Sequence, residues 1–161
     1  MAEGVSAVVI TVSDRCARGE RPDVSGPRAA SLLAQAGYDV GRVRVVPDGV
    51  ASVEGALRAA LADGARFVLT AGGTGVSPRD LTPEGTARVL ERELPGITEA
   101  LRRHDEAEVP TAVLSRGLAG TVGTALVVNA PGSTNGVTSA VAVLLPLLKH
   151  VLDQLDGGDH R

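Results

Sequence analysis

A chain of 161 residues is long enough for one domain with a hydrophobic core, and its net charge of −3 excludes a basic face for nucleic acid. Tyr38 and Phe67 are its only aromatic residues, which excludes the stacking surface that single-strand binders use. The single cysteine, Cys16, excludes an internal disulfide and fits a reducing compartment.

Export and membrane association are not expected either. The first residues lack the basic and apolar regions of a signal peptide. The most apolar run, 140–148, contains Pro146 and is too short to span a bilayer. We therefore expect a cytoplasmic protein without a membrane partner.

The first half of the chain alternates apolar runs with helix signals. A run rich in Val and Ile predicts a buried strand of a parallel sheet, and the polar segment after it predicts a mobile loop. The predicted elements, in order, are a strand at 5–12, a loop at 16–26, a helix at 27–36 capped by Ser25, a strand at 43–46, a helix at 53–62 capped by Ser52, and a strand at 65–69.

The second half adds shorter strands and a long apolar helix. The predicted elements are a helix at 83–94 capped by Thr82, a helix at 97–106, a hairpin of strands 118–122 and 124–128 around Gly123, and a final helix at 136–155. The final helix is apolar nearly all round between 137 and 148, which predicts burial in the core or at a subunit contact. We expect one domain over residues 1–161, with about 157–161 as a flexible tail.

A glycine-rich stretch after the strand at 65–69 carries the strongest functional signal. It contains Gly72, Gly73, Thr74 and Gly75, and a helix start follows at Thr82. A strand, a glycine-rich turn and a helix start present backbone N–H groups to an anion. The spacing matches neither the P-loop nor the dinucleotide fingerprint. Taken alone, the glycine cluster is equally consistent with a tight turn that binds nothing.

Alternating strands and helices predict a three-layer α/β/α fold with a mostly parallel sheet and a small hairpin. Ligands of such sheets bind beyond the carboxyl ends of the strands. The loops expected at that edge are Ser13-Asp14, Pro47-Asp48-Gly49, Gly72 to Asp80, and Pro131-Gly132-Ser133. Their amides, carboxylates and arginines fit a phosphate ligand with a divalent metal. Ordinary roles stay open, because Asp48 also suits a turn and Asp14 and Ser133 also suit helix caps.

Five sequence blocks together point to a family. They are Thr11-Val12-Ser13-Asp14-Arg15, Val46-Pro47-Asp48, the long pattern Thr70-Ala71-Gly72-Gly73-Thr74-Gly75 with Arg79-Asp80-Leu81-Thr82-Pro83-Glu84, Leu114-Ser115-Arg116-Gly117-Leu118-Ala119-Gly120, and Asn129-Ala130-Pro131-Gly132-Ser133. On these blocks the chain resembles the molybdopterin-binding family of molybdenum-cofactor biosynthesis, specifically its molybdopterin adenylyltransferase branch. One departure is Thr134-Asn135, where the family usually continues with proline and a small or basic residue.

The resemblance implies a reaction and an assembly. AMP would pass from Mg-ATP to the phosphate of molybdopterin, and pyrophosphate would be released. The family also implies a homotrimer and contact with the molybdate-inserting enzyme. A non-catalytic molybdopterin-binding carrier or assembly paralogue is the alternative, and the Thr134-Asn135 departure leaves room for it.

The chemistry assigns roles to the matching residues. A phosphate monoester has a second pKa of about 6 and is largely ionised at pH 7, so no strong general base is needed. Asp48 and Asp80 are therefore predicted to be catalytic as Mg²⁺ ligands or positioning groups, with Arg79 or Arg116 neutralising charge. The residues predicted to bind ligand are Ser13, Asp14, Gly72, Gly73, Thr74, Gly75, Ser115, Arg116, Pro131, Gly132 and Ser133.

Overall fold

The computed structural model describes residues 4–158, and this part of the chain forms a seven-stranded mixed sheet with helices on both faces. The elements are β1 (Ser6–Val12), α1 (Asp14–Ala17), α2 (Ser25–Gln35), β2 (Asp39–Val40), β3 (Arg44–Val46), α3 (Val50–Ala62), β4 (Phe67–Ala71), α4 (Thr82–Ala87), β5 (Arg92–Glu93), α5 (Pro95–Asp105), a 3-10 helix (Pro110–Leu114), β6 (Ala119–Val122), β7 (Ala125–Ala130) and α6 (Thr134–Leu155).

Parallel pairing dominates the sheet. The central strands β1, β4 and β7 run parallel, with Ile10, Thr70 and Asn129 side by side, and both β2 and β3 pair parallel with β1. The hairpin of β6 and β7 is antiparallel and turns at Gly123, whose φ of 55° suits glycine. The predicted α/β fold with a mostly parallel sheet and a small hairpin is confirmed.

Two hydrophobic clusters show the three layers. Alternate residues of β1 point to opposite faces, so Ala7 and Val9 pack with α2, α5 and α6, whereas Val8 and Ile10 pack with α3. Every residue of β4 and β7 is buried, as expected for strands covered on both faces.

Helix α6 supplies one face of the larger cluster. Its 22 residues are long and apolar enough to cross a membrane by length and composition alone. Leu144 and Leu148 are fully buried in the core, as in an ordinary core helix, whereas Leu147 on the other side is 38% exposed. In the single chain the helix is therefore buried on one side only. Its contribution to a subunit contact stays a prediction.

Several predicted boundaries in the first half are wrong, among them those of the strand predicted at 65–69, which is β4 at Phe67–Ala71. The first two residues of the predicted loop at 16–26 belong to α1, which begins at Asp14 because the Ser13 Oγ accepts the Cys16 N–H at 3.2 Å. Ser25 is the first residue of α2 rather than its cap; the N-cap is Val24, which makes no side-chain cap hydrogen bond, and the Gly26 N–H donates to the Asp23 Oδ1 at 3.1 Å. Helix α3 begins at Val50.

Two capping hydroxyls predicted from the sequence donate instead of accepting. The Ser52 Oγ donates to the carbonyl oxygen of Pro47 at 2.6 Å. The Thr82 Oγ1 donates to the Gly72 carbonyl oxygen at 2.9 Å and so fixes the glycine-rich turn. Both helices begin without a side-chain cap.

The predicted helix at 83–94 is too long. Helix α4 ends at Ala87, and β5 follows because residues 92–93 pair with the edge of β6. At the end of the chain, the Gly157 and Gly158 N–H groups donate to carbonyl oxygens of α6. The remainder of the predicted tail, residues 159–161, lies outside the described residues.

We expect Leu144→Ala to lower the free energy of unfolding by about 2–5 kcal/mol, because it opens a cavity between α6 and the sheet. Leu147→Ala on the same helix is the matched control and should cost less than about 1 kcal/mol. Urea denaturation measures both. Equal losses would contradict the assignment of the buried face.

Candidate functional site

Two cavities open at the carboxyl edge of the sheet, where β1, β3, β4 and β7 all end. The smaller, of about 380 Å³, is called here the carboxylate cavity because Asp23, Asp48 and Asp80 line it. The larger, of about 590 Å³, is called the large cavity and lies between α5, the 3-10 helix and the start of α6. Ser133 lines both, so the two cavities meet at the loop after β7.

Glycines at positions 72 and 73 are required by the backbone of the turn. Gly72 has φ 108°, and a Cβ there would lie 2.3 Å from the Val12 carbonyl oxygen. Gly73 has φ 69°, and a Cβ there would lie 2.2 Å from the Thr82 Oγ1 and 3.1 Å from the Asp48 Oδ1. The turn therefore passes against β1 and the Thr82 hydroxyl at distances that only glycine permits, and it lies in tight contact with the Asp48 carboxylate.

The same turn leaves backbone donors free. Among the described residues, the N–H groups of Gly73, Thr74 and Gly75 have no hydrogen-bond partner. Unpaired N–H groups in a glycine-rich turn after a strand form a concavity suited to anions. The turn can therefore hold a phosphate without rearranging its own hydrogen bonds.

Asp14 and Asp48 bind each other's loops. The Asp14 N–H donates to the Asp48 Oδ2 at 2.9 Å, and the Asp48 N–H donates to the Asp14 Oδ1 at 3.1 Å. Arg79 completes the arrangement, because its Nε and Nη2 donate to both Asp14 carboxylate oxygens at 3.0 and 2.9 Å. Its Nη2 also donates to the Asp48 carbonyl oxygen at 3.0 Å. Three loops are thus joined around Asp48.

The two aspartates have opposite pKa shifts. Hydrogen bonding to Arg79 lowers the pKa of Asp14, so this carboxylate is charged and already paired. Burial raises the pKa of Asp48, and the negative charges of Asp14 and Asp80 raise it further. A cation placed beside Asp48 would relieve this penalty.

Arg116 fastens the other end of the glycine-rich turn. Its Nε donates to the Gly75 carbonyl oxygen at 2.8 Å and its Nη2 donates to the Asp80 carbonyl oxygen at 2.6 Å. Its Nη1 pairs with Glu84, which lowers the pKa of that carboxyl group. Arg116 therefore holds the backbone that carries Asp80, and its guanidinium lines neither cavity.

Within residues 4–158, no three His, Cys, Asp or Glu side chains form a group that could hold a metal. Asp48 and Asp80 nevertheless share the carboxylate cavity, and the Asp48 Oδ1 has no hydrogen-bond partner among the described residues. Mg²⁺ at phosphate sites usually takes one or two carboxylates together with substrate oxygens and water. The pair therefore fits a metal that arrives bound to a phosphate ligand.

The structure distributes the predicted ligand residues over the two cavities. Ser13, Asp48, Gly72, Gly73, Asp80 and Gly132 line the carboxylate cavity; Thr74, Gly75, Ser115 and Pro131 line the large cavity; Ser133 lines both; Asp14 and Arg116 line neither. Ser133 also caps α6, because its Oγ accepts the Gly136 N–H at 3.0 Å. The capping alternative and the cavity position are thus both observed for this residue.

Sequence reasoning missed one wall of each cavity. Arg21 and Asp23 line the carboxylate cavity from the loop after α1. Thr98, Arg102 and Asp105 line the large cavity from α5. Their spacing of four and three residues places these three residues on one helix face. This spacing is the sequence pattern from which they could have been predicted. The Arg21–Asp23 segment carried no such pattern.

An open α/β sheet with two cavities and glycine-rich loops at its carboxyl edge defines the class of α/β proteins that bind ligands beyond their strand ends. The family model described as a probable molybdopterin binding domain matches residues 8–150. The chain belongs to this molybdopterin-binding family, and the resemblance indicated by the sequence is confirmed.

Individual relatives cover nearly the whole chain. It is 41% identical over 157 residues, 98% of its length, to a molybdenum cofactor biosynthesis bifunctional protein of Synechococcus elongatus, of which it spans 49%. It is 38% identical over 149 residues, 89% of its length, to a molybdopterin adenylyltransferase of Pyrococcus furiosus, of which it spans 87%. The crystal structure of a molybdopterin biosynthesis protein from Mycobacterium abscessus superposes with a TM-score of 0.89 at 43% identity, covering 94% of this chain and 96% of that one. The chain thus spans about half the length of the bifunctional relative.

We expect Gly72→Ala to lower the free energy of unfolding by about 3 kcal/mol or more, because left-handed strain adds to the clash with the Val12 carbonyl. Gly123→Ala is the control, since φ is also positive there but no atom lies within 4 Å of the new Cβ. That variant should lose only about 1–2 kcal/mol. Urea denaturation that gave equal losses would contradict the close approach at Gly72.

Asp48→Asn and Asp14→Asn should have opposite effects on the melting temperature at pH 7. The pKa of Asp48 is raised by folding, so its charged form destabilises the fold, and removing the charge should raise the melting temperature. The pKa of Asp14 is lowered by folding, so its charge stabilises the fold, and removing it should lower the melting temperature.

Both differences should shrink as the pH falls. The Asp48 difference should fade below its raised folded pKa, and the Asp14 difference only below the ordinary aspartate value of about 3.9. Melting curves at intervals from pH 7 to about pH 3 measure this. Shifts of the same sign for both variants would contradict the assigned environments.

Proposed function

We propose that this chain is a molybdopterin adenylyltransferase, which transfers AMP from Mg-ATP to the phosphate of molybdopterin and releases pyrophosphate. The names of the relatives support a role in molybdenum cofactor biosynthesis, and one of them is a molybdopterin adenylyltransferase. The observation that carries the specific proposal is the position of Asp48 and Asp80 in one cavity with Gly73, whose N–H has no hydrogen-bond partner among the described residues.

Each substrate has a cavity of suitable character. The carboxylate cavity suits Mg-ATP, because Asp48 and Asp80 can bind the metal while the free N–H of Gly73 can bind a phosphate oxygen. The large cavity, at about 590 Å³, has the size of an ordinary small-molecule site and suits molybdopterin. Ser133 lines both, so we place the reacting phosphates beside it.

The reaction needs little proton chemistry. An ionised phosphate oxygen of molybdopterin attacks the α-phosphorus of ATP, and the bond from that phosphorus to the oxygen bridging the β-phosphorus breaks. Pyrophosphate leaves with the bonding electron pair, and no proton is transferred. Bound magnesium supplies charge neutralisation to the triphosphate. The protein contributes placement: Asp48 and Asp80 hold the metal, and the turn's amides orient phosphate oxygens.

The positioning residues explain why these carboxylates are well placed before a ligand binds. Arg79 donates to the carbonyl oxygen of Asp48, and Arg116 donates to that of Asp80. Each guanidinium fixes the backbone beneath one carboxylate. A preorganised pair of this kind avoids the cost of ordering two loops when Mg-ATP arrives.

The carrier alternative keeps one supporting observation. Asn135, part of the departure from the family pattern, lines the large cavity. Incubation with Mg-ATP and molybdopterin separates the two functions. Pyrophosphate release supports the transferase, whereas tight binding of molybdopterin without release supports the carrier.

We also propose the homotrimer and the contact with a molybdate-inserting enzyme that the family resemblance implies. Exposed apolar side chains at Val109, Val113 and Leu114, each at least half exposed, support a protein contact near the 3-10 helix. Sedimentation of the purified chain tests the trimer.

We expect Asp80→Asn to lower kcat for pyrophosphate release by about 100-fold or more, because a neutral amide binds magnesium poorly. The fold should be retained, since an amide oxygen can still accept the Ser77 N–H that Asp80 accepts at 3.2 Å.

Asp63→Asn is the matched control for Asp80→Asn. Asp63 lies on the surface just past the far end of α3, paired with Arg44 and away from the carboxyl edge. This variant should keep wild-type activity. Full activity of Asp80→Asn would remove Asp80 from the mechanism.

A further inference from the structure

In the proposed reaction, the negative charge of the triphosphate and of the departing pyrophosphate needs a cationic partner in the carboxylate cavity. Its lining contains the carboxylates Asp23, Asp48 and Asp80 and one cationic side chain, Arg21. A triphosphate bound to a single Mg²⁺ keeps a net negative charge, and the departing pyrophosphate gains more. Such a group is normally bound by cationic side chains, and arginine suits it because its guanidinium donates two parallel hydrogen bonds.

The two arginines expected from the sequence to supply this charge are already engaged. Arg79 donates to the Asp14 carboxylate and to the Asp48 carbonyl oxygen. Arg116 donates to two carbonyl oxygens of the glycine-rich segment and pairs with Glu84. Moving either guanidinium onto a phosphate would release the loop that holds Asp48 or Asp80.

Arg21 differs from both. Among residues 4–158 its guanidinium has no hydrogen-bond or ion-pair partner, and the residue belongs to the cavity lining. Its neighbour Arg18 has the opposite arrangement, since it pairs with Glu20 at 2.8 Å and does not line the cavity. Of these two neighbouring arginines, the one without a partner is therefore the one that lines the cavity.

The segment around Arg21 is held in place. Asp23 accepts a hydrogen bond from the Thr11 Oγ1 at 2.7 Å and another from the Gly26 N–H at 3.1 Å. Pro22, which lies between Arg21 and Asp23, restricts the backbone of this segment. The backbone next to Arg21 is thus fixed, and only the Arg21 side chain needs to be ordered when a ligand binds.

We propose that Arg21 binds the β- and γ-phosphates of the nucleotide and stabilises the departing pyrophosphate. The inference rests on the proposed function and adds a residue that provides binding charge. It assigns the loop after α1 to the pyrophosphate end of the substrate and the glycine-rich turn to the α-phosphate end.

Binding titrations with three probes test this assignment: α,β-methylene ATP with Mg²⁺, inorganic pyrophosphate with Mg²⁺, and AMP. Arg21→Ala should weaken binding of the first two probes by about tenfold or more, the loss expected for a hydrogen bond to a charged group. AMP, which has no β-phosphate, should bind within about twofold of the wild type. Arg21→Lys should retain part of the affinity, because it keeps the charge but loses the fork.

Arg18→Ala is the matched control and should leave all three affinities unchanged. Equal weakening of AMP and of the pyrophosphate probes by Arg21→Ala would overturn the inference, because it would indicate a general disturbance of the cavity. Wild-type affinity of Arg21→Ala for every probe would also overturn it, while leaving the adenylyltransferase proposal intact. Failure of the wild-type protein to bind α,β-methylene ATP would overturn both.

Discussion

The close backbone approach of the strand-end loops is the constraint on which the site depends. Gly72 passes against the carbonyl oxygen of Val12, and a Cβ on Gly132 would lie 3.1 Å from the Gly72 Cα. Three parallel strands therefore deliver their loops to one place, and the absence of side chains lets these loops touch. The Asp48 carboxylate, the free N–H groups and both cavities are positioned as a result. Larger residues at these positions would clash with the neighbouring loop and force the loops apart.

The charged residues at this edge of the sheet have two roles: some pair with one another and hold the loops, and others are left to contact a ligand. Asp14 pairs with Arg79, and Glu84 pairs with Arg116, so these four charges neutralise one another within the protein's own loops. Asp48 lies next to this network with a pKa raised by burial, so it has an unmet preference for a cation. A protein that stabilised Asp48 fully by internal pairing would have less to offer a metal. A cation bound beside Asp48 would offset the cost of charging this buried carboxyl group.

The sequence predicted the sheet and its edge because long patterns carry that information. The Val/Ile run of β1 and the apolar α6 need no tertiary context to be identified. The strands β2 and β5 contain two residues each, and they exist only because a neighbouring strand offers an edge. The sequence also could not show whether a hydroxyl donates or accepts a hydrogen bond. The same Thr82 could accept a bond as a helix cap or donate one to the Gly72 carbonyl oxygen, as it does. The role of Arg116 could not be predicted from the sequence either, because it depends on carbonyl oxygens about forty residues away in the chain.

The single thiol of the chain is a specific site for attaching a spectroscopic label. Cys16 lies in α1 on the wall of the carboxylate cavity, and the chain has no other cysteine. A fluorophore or spin probe attached there would report from the cavity wall in otherwise native protein, without prior removal of competing thiols. Changes in its signal during a titration would follow occupancy directly and in real time. Binding and release of a ligand at this cavity thereby become separable events that a spectrometer can time.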